Sequence, residues 1–366
     1  YAKRAIFEQI DGWNSVLPIA QDYLNINTPL NSSPASSIFP FVSTDLTADS
    51  GILYGVNRHN NTLIIFDRFS LENANMVVFS KSGGGKSYAA KLEALRLLMT
   101  GTDIIIIDPE HEYQPLAEAV GGSFIDISLS SPHHINPFDL PPAVSDDHPD
   151  DILKSYIANL AGLIKIMIGK LSPEEEALID RALIETYALH DIVPGKTSAD
   201  KTPPLLSDLE AVLENLEGGQ GIAQRLYRYT KGSYAGFTNL KTNVDLSNRC
   251  MVFSIRDLEN ELRPVAMYLI LNFIWNMIKN IPKKRVMIVD EAWWLMQYPE
   301  GALFLFSLVK RARKYLLGVT TITQDVEDFF LSSYGRPIIT NSSLQLLLKQ
   351  SPAMIDMVVK TFNLTD

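Results

Sequence analysis

The chain has 366 residues, 46% of them hydrophobic and 20% charged, an ordinary balance for a globular protein long enough for two domains. Its single cysteine, Cys250, excludes an intrachain disulfide framework and any cysteine-rich metal site, and fits a reducing compartment such as the cytosol. A formal net charge of −10 argues against broad affinity for nucleic acid, which needs many Lys and Arg contacts to phosphate; Lys310, Arg311, Arg313 and Lys314 form the densest local basic patch.

No signal peptide is visible, and the opening YAKRAIFEQI starts in mid-pattern, as expected of a piece of a longer protein. Residues 31–37 read as a Ser- and Pro-rich loop, and residues 51–69 as two short strands around a His-Asn-Asn turn, a hairpin placed to flank a ligand. An apolar strand over 75–79 then empties into SKSGGGKS, and the helical pattern 88–99 follows. Residues 103–108 are a continuous apolar run, as a parallel strand buried on both faces requires, and 124–127 is another.

From Ser131 the sequence turns loop-like, rich in proline and acids, and from 152 to about 241 strand signals nearly vanish. One helix start there is explicit: Ser172 as cap, Pro173 at the first position, and Glu174 to Glu176 as an acidic first turn. Alternation resumes with strands at 251–255, 285–290, 318–323 and 344–348 and helices at 262–279 and 302–316. The apolar stretch 265–278 is too short to span a bilayer and reads as a buried helix. The fold class expected is α/β: a mainly parallel central sheet wrapped by helices, with an inserted all-α subdomain. The boundaries expected are an N-terminal segment with the hairpin at 1–75, a nucleotide-binding core at 76–140 and 242–366, and the helical insertion at 141–241.

The segment SKSGGGKS matches G-x-x-x-x-G-K-[ST] except at its first place, where Ser80 stands for glycine. Glycines let the backbone curl so that several N–H groups face one oxyanion, and the following helix adds its positive end. Residues Ser82, Gly83, Gly84, Gly85, Lys86, Ser87 and Tyr88 are the expected nucleotide contacts, with Lys86 reaching the β- and γ-phosphates and Ser87 holding Mg²⁺. The strand at 285–290 ends in two carboxylates, Asp290 and Glu291. Asp290 takes the metal role with Ser87, and Glu291 that of general base for the water attacking the γ-phosphate. Gln324, at the polar end of the 318–323 strand, is either a solvated strand-end residue or placed to sense that phosphate. Glu110 or Glu112, leaving the strand at Asp108, are placed to approach the same centre, whereas Trp293 and Trp294 read as packing residues. Arg311, Arg313 and Lys314 are either a solvated helix end or cations offered to a neighbouring subunit's phosphate.

These residues together resemble the conjugation and type IV secretion ATPases of the VirB-four, TraC and TrwK type, in the HerA/FtsK group of RecA-like motors. The resemblance covers most of the chain and rests on SKSGGGKS at Ser80, DPEHEY at Asp108 with INPFDL at Ile135, YTKGSYAGF at Tyr229, VMIVDEAWWLM at Val286 and RKYLLGVTTITQ at Arg313. It implies a RecA-like core, use of ATP with Mg²⁺, and arginines supplied between subunits of a homo-hexamer, with Arg313 first among them. It also implies a cytoplasmic protein, peripheral at the inner membrane, working with other type IV secretion components and the coupling ATPase. A DNA-translocating motor of the HerA/FtsK kind is the alternative, against which the overall acidity counts, and a non-hydrolysing scaffold is a third reading that the presence of both Asp290 and Glu291 disfavours.

Overall fold

Burial of apolar runs on both faces explains the central sheet. The computed structural model describes residues 6–18, 21–24, 32, 47–140, 149–193, 201–279, 281–324, 326–362 and 364. The loop expected at 31–37, Ser32 apart, and residues 141–148 of the Pro- and acid-rich stretch lie outside them. In chain order the elements are α1 (Gln9–Val16), β1 (Ile52–Val56), β2 (Leu63–Phe66), β3 (Met76–Phe79), α2 (Lys86–Met99), β4 (Asp103–Asp108), α3 (Gln114–Ala119) and β5 (Ser123–Asp126). Helices α4 (Pro149–Ile168), α5 (Pro173–Leu189), α6 (Leu206–Asn215), α7 (Gln220–Thr230) and α8 (Ala235–Thr238) follow. The chain continues through β6 (Cys250–Ser254), α9 (Arg263–Ile278), β7 (Arg285–Val289), α10 (Trp293–Met296), α11 (Pro299–Arg311), β8 (Leu317–Thr323), α12 (Val326–Leu331), α13 (Gly335–Thr340), β9 (Leu344–Leu347) and α14 (Ile355–Phe362).

Seven strands form one sheet in the order β5-β6-β4-β7-β8-β3-β9, and every pairing in it is parallel. Residues alternate across it. Val77, Phe79, Ile105, Ile107, Phe253 and Val289 pack on one side with α9, α11 and the helices α4 to α8. Met76, Val78, Ile104, Ile106 and Ile288 pack on the other with Ala90, Ala94 and Leu97 of α2 and with Ala117 of α3. Helix α9 lies between the sheet and the helices inserted after β5, which is why its sequence is apolar nearly all round. Among the described residues no helix is long and apolar enough to cross a membrane.

The INPFDL segment joins the sheet to the inserted helices. Asn136 donates to Pro204 O (2.9 Å), Thr242 Oγ1 accepts from Asn136 N (2.6 Å), and Tyr187 donates to Phe138 O (3.0 Å). Helix α5 starts as its sequence dictates, with Ser172 and Glu175 forming a reciprocal capping box behind Pro173. One expected helix has different limits. Instead of 302–316, α11 begins at Pro299, whose fixed φ suits a first helical turn, and ends at Arg311; residues 312–315 tighten into a 3₁₀ turn, and Leu316 at φ +52° redirects the chain into β8.

The two-stranded antiparallel hairpin β1–β2 sits against α2. What ties it there is a buried ion pair: Arg68, fully buried just beyond β2, reaches Glu93 of α2 at 2.9 Å, Thr320 of β8 at 3.0 Å and Ala74 O at 2.8 Å, while Tyr54 of β1 donates to Glu93 at 2.8 Å. Removing one partner of such a pair leaves a buried charge uncompensated. Arg68→Ala is therefore expected to lower the unfolding free energy by about 3–5 kcal/mol. Arg68→Met combined with Glu93→Leu should recover most of that loss, and denaturant midpoints of the wild type and both variants check this.

Candidate functional site

The site grows from three neighbouring strand ends. Strand β8 lies between β3 and β7, so the loop after β3, the carboxylates after β7 and Gln324 after β8 meet at one edge of the sheet. In the loop, Gly83 (φ +69°) and Gly85 (φ +95°) take left-handed conformations, and a Cβ on either would meet nothing within 4 Å. Ser80 is accommodated by a neighbour: its buried hydroxyl lies 2.2 Å from where a Cβ on Gly84 would stand. The end of β9 clasps the loop's other flank. Lys81 N donates to Lys349 O (2.9 Å), Leu348 N to Phe79 O (3.0 Å) and Gln350 Nε2 to Phe79 O (2.8 Å).

Lys86, on the first turn of α2, reaches across to an ion pair with Glu291 and lies 3.5 Å from Asp290 Oδ1. Gln324 donates to the same Glu291 oxygen, and the Trp293 indole N–H donates to the other at 2.9 Å. Glu291 is itself buried and held at φ +48°, a conformation uncommon for a non-glycine residue. Asp290 accepts from Glu291 N (2.9 Å) and from the Tyr113 hydroxyl (3.1 Å). Tyr113 is brought there by Asp108, whose carboxylate accepts the backbone N–H groups of Glu112 (3.0 Å) and Tyr113 (2.8 Å) and so folds residues 108–113 back on β4, with His111 at φ +59°.

Burial sets the electrostatics. It pushes the Asp290 carboxyl up to about 6, with Lys86 pulling it down and Glu291 pushing it further up. For Lys86 burial works against the charge, but Asp290 and Glu291 together outweigh it and hold the ammonium above its ordinary value. Burial, then the nearby Asp290, raises the Tyr113 phenol far above its usual range, so it stays a donor. One buried lysine thus lies against two buried carboxylates.

The structure thus brings together Lys86, Asp290, Glu291 and Gln324 beside Ser82, Gly83, Gly84, Gly85 and Ser87, with Tyr88 exposed on the next position of α2. It does not bring Arg313 there. Arg313 is exposed just before β8 begins, at the opposite edge of the sheet, about 20 Å of strand away from Gln324. Glu110 turns outward to Arg263 (3.1 Å), whereas Glu112 is near enough to contribute to the raised Lys86. Trp293, expected as packing, stacks on Trp294 with ring centroids 4.2 Å apart and in addition holds Glu291. The sequence pointed to Tyr113 only as part of DPEHEY, and the clasp by Lys349 and Gln350 had no local signal because it depends on β9 pairing with β3.

A seven-stranded parallel sheet with a glycine loop, a lysine and paired carboxylates at adjoining strand ends defines a RecA-like P-loop NTPase. Within that class the chain belongs to the TraG P-loop domain family, whose model matches residues 64–193 and 221–366. It is 24% identical over 341 residues to Protein TraC of Escherichia coli (strain K12), an alignment covering 86% of this chain and 37% of that protein, so the chain spans little more than a third of that relative's length. Its fold is similar to VirB4 of Thermoanaerobacter pseudethanolicus, with 28% identity, a TM-score of 0.79, and 87% of this chain and 89% of that chain covered. The conjugative coupling protein TrwB shares the fold at 12% identity and a TM-score of 0.57, over 86% of this chain and 77% of that chain.

The raised Asp290 gives a pH-dependent stability. An acid whose folded pKa lies above its unfolded one, about 3.9, keeps its proton longer in the folded chain, so stability falls as pH rises between about 4 and 6. Without nucleotide or metal, Asp290→Asn is expected to be more stable than the wild type at pH 7 by about 1–3 kcal/mol and to converge with it near pH 4. Denaturant melts across that range measure the difference.

Proposed function

We propose that this chain hydrolyses ATP with Mg²⁺ and that the full-length protein spends the energy on type IV secretion or conjugation. The observation carrying the reading is the single buried cluster in which Lys86, Asp290, Glu291 and Gln324 meet at the phosphate loop. The residues suit a magnesium nucleotide: a Cβ at Gly83 or Gly85 would meet nothing within 4 Å, so the backbone there is open to a close-lying phosphate, and α2 begins at Lys86 with its positive end at the loop. Ser87 and Asp290 would hold the cation, which supplies charge neutralisation at the phosphates.

Lys86 is drawn to the incoming phosphates, and its ion pair with Glu291 is exchanged for them. The freed Glu291 carboxylate, still oriented by Trp293 and Gln324, accepts a proton from the attacking water. Gln324 spans from that carboxylate towards the γ-phosphate position and couples its presence to Glu291. Arg313, far from its own chain's loop and exposed, is the cation we assign to a neighbouring subunit's nucleotide in a homo-hexamer. By the same reading residues 76–140 and 242–366 are the motor core and 141–241 an inserted helical subdomain. The protein acts at the cytoplasmic face of the inner membrane with other secretion components, the coupling ATPase among them. A DNA-pumping role is the lesser reading, since the chain carries a net charge of −10.

Glu291→Gln is expected to lower ATP turnover by about 10²–10⁴-fold while retaining nucleotide binding. Lys86→Ala should lose binding as well. Turnover per subunit in the wild type should rise with protein concentration, and Arg313→Ala should abolish that rise without weakening binding. Steady-state ATPase assays with parallel binding titrations test all three; fast, concentration-independent turnover would remove Arg313 from the site.

A further inference from the structure

Strand β9 ends at Leu347, paired with Phe79 at the end of β3, so the residues after it run on beside the phosphate loop as the loop leaves β3. Lys349 is level with Lys81 and accepts its N–H at the backbone oxygen (2.9 Å). Its Cβ stands 3.3 Å from where a Cβ on Gly84, the middle of the three loop glycines, would be. The clasp uses only the main chain of Lys349, and Gln350 reinforces it by donating to Phe79 O (2.8 Å) and Leu348 O (2.9 Å). The Lys349 side chain has no part in it. That side chain is exposed, and its ammonium has no ion-pair partner among the described residues.

We propose that Lys349 is a second phosphate-binding lysine of this site, holding from the β9 flank the phosphates that ATP and ADP share. The inference rests on the nucleotide reading above and adds to it a residue and the part of the nucleotide that this residue holds. Charge balance is the first argument. Lys86 faces both Asp290 and Glu291, one cation against two carboxylates, so the buried cluster is negative before any nucleotide arrives, and a magnesium triphosphate is itself an anion. Holding it beside those carboxylates requires further positive charge at the loop. The Lys349 stem starts against the loop, and its flexible four carbons let the ammonium close on a phosphate without moving the backbone that clasps the loop. Position decides which phosphates it meets. Strand β3 has β8 on one side and β9 on the other. Glu291 and Gln324 belong to the β8 side, where the attacked γ-phosphate lies in the reading above, so the β9 side faces the phosphates that remain after cleavage. A contact there is made equally in ATP and ADP, and it adds to the affinity for both rather than to the rate of the chemical step.

Binding of Mg-ATP and Mg-ADP to the wild type, Lys349→Met and Lys349→Arg at low and high salt tests this, with ATP turnover followed alongside. Methionine keeps the apolar stem without the charge, and the exposed side chain and main-chain clasp leave both variants able to fold. Lys349→Met is expected to weaken ATP and ADP alike, about tenfold each, and Lys349→Arg to restore most of both. Affinity should fall less steeply with salt in Lys349→Met than in the wild type, and its loss in kcat/KM should fall on KM. Affinities indifferent to Lys349→Met would overturn the inference alone and leave Lys349 as a solvated lysine that discourages further pairing at the sheet edge. A loss confined to ATP would overturn the assignment to the shared phosphates. An equal loss in Lys349→Arg with unchanged salt dependence would mean a disturbed loop and overturn the contact. Failure of the wild type to bind either nucleotide would overturn the nucleotide reading itself and this inference with it.

Discussion

Everything at the site depends on one register: β3, β8 and β7 run parallel and end side by side. Neighbouring strands lie about 4.8 Å apart, so the ends of β3 and β7 are separated by about 10 Å with Gln324 between them. That gap is one a lysine and a glutamate span together, and Lys86 and Glu291 do so. The sheet order therefore sets how far apart the loop and the carboxylates lie, and the side chains of Lys86 and Glu291 bridge that gap.

A second layer holds this arrangement. The carboxylates are fully supported from behind: Asp290 by Tyr113, Tyr113 by the Asp108 turn, and Glu291 by Trp293. The loop is held from both flanks, by Ser80 N to Thr323 O on β8 and by Lys81 N to Lys349 O on β9. On the far side of α2 the Arg68–Glu93 pair anchors the helix to the hairpin and to β8. Such anchoring matters because preorganised groups act on developing charge without reorganising during the reaction. The segments DPEHEY and INPFDL, which carry no obvious chemistry, are accounted for by it: the first positions Tyr113, and the second stitches the inserted helices to the core.

What the sequence made legible was local. The strands at Asp103–Asp108 and Arg285–Val289 were readable because burial on both faces leaves an unbroken apolar run, and the α5 start because its cap is encoded within four residues. The glycine loop and Lys86 stood out because the P-loop pattern ties residue types to a fixed spacing, and Asp290 and Glu291 because they close an apolar strand; the structure brings them together. What escaped were contacts made by distant parts of the chain. Trp293 read as one of two packing aromatics, since nothing local says that an indole N–H two residues on will bend back to Glu291. The β9 clasp joins residues some 270 positions apart, and the end of α11 was misplaced because a left-handed Leu316, a residue with no bias to that conformation, makes the turn into β8.

The fit between Ser80 and Gly84 bears on how positions of such a loop are read. Glycine at the first place of such loops is usually taken as a demand of that position, yet here the serine hydroxyl stands in the volume that a side chain at 84 would fill. A Cβ at 84 would meet that hydroxyl at 2.2 Å, Lys81 O at 3.0 Å and Lys349 Cβ at 3.3 Å, so what the two positions tolerate is decided jointly. A motif pattern that scores positions one at a time is blind to that coupling.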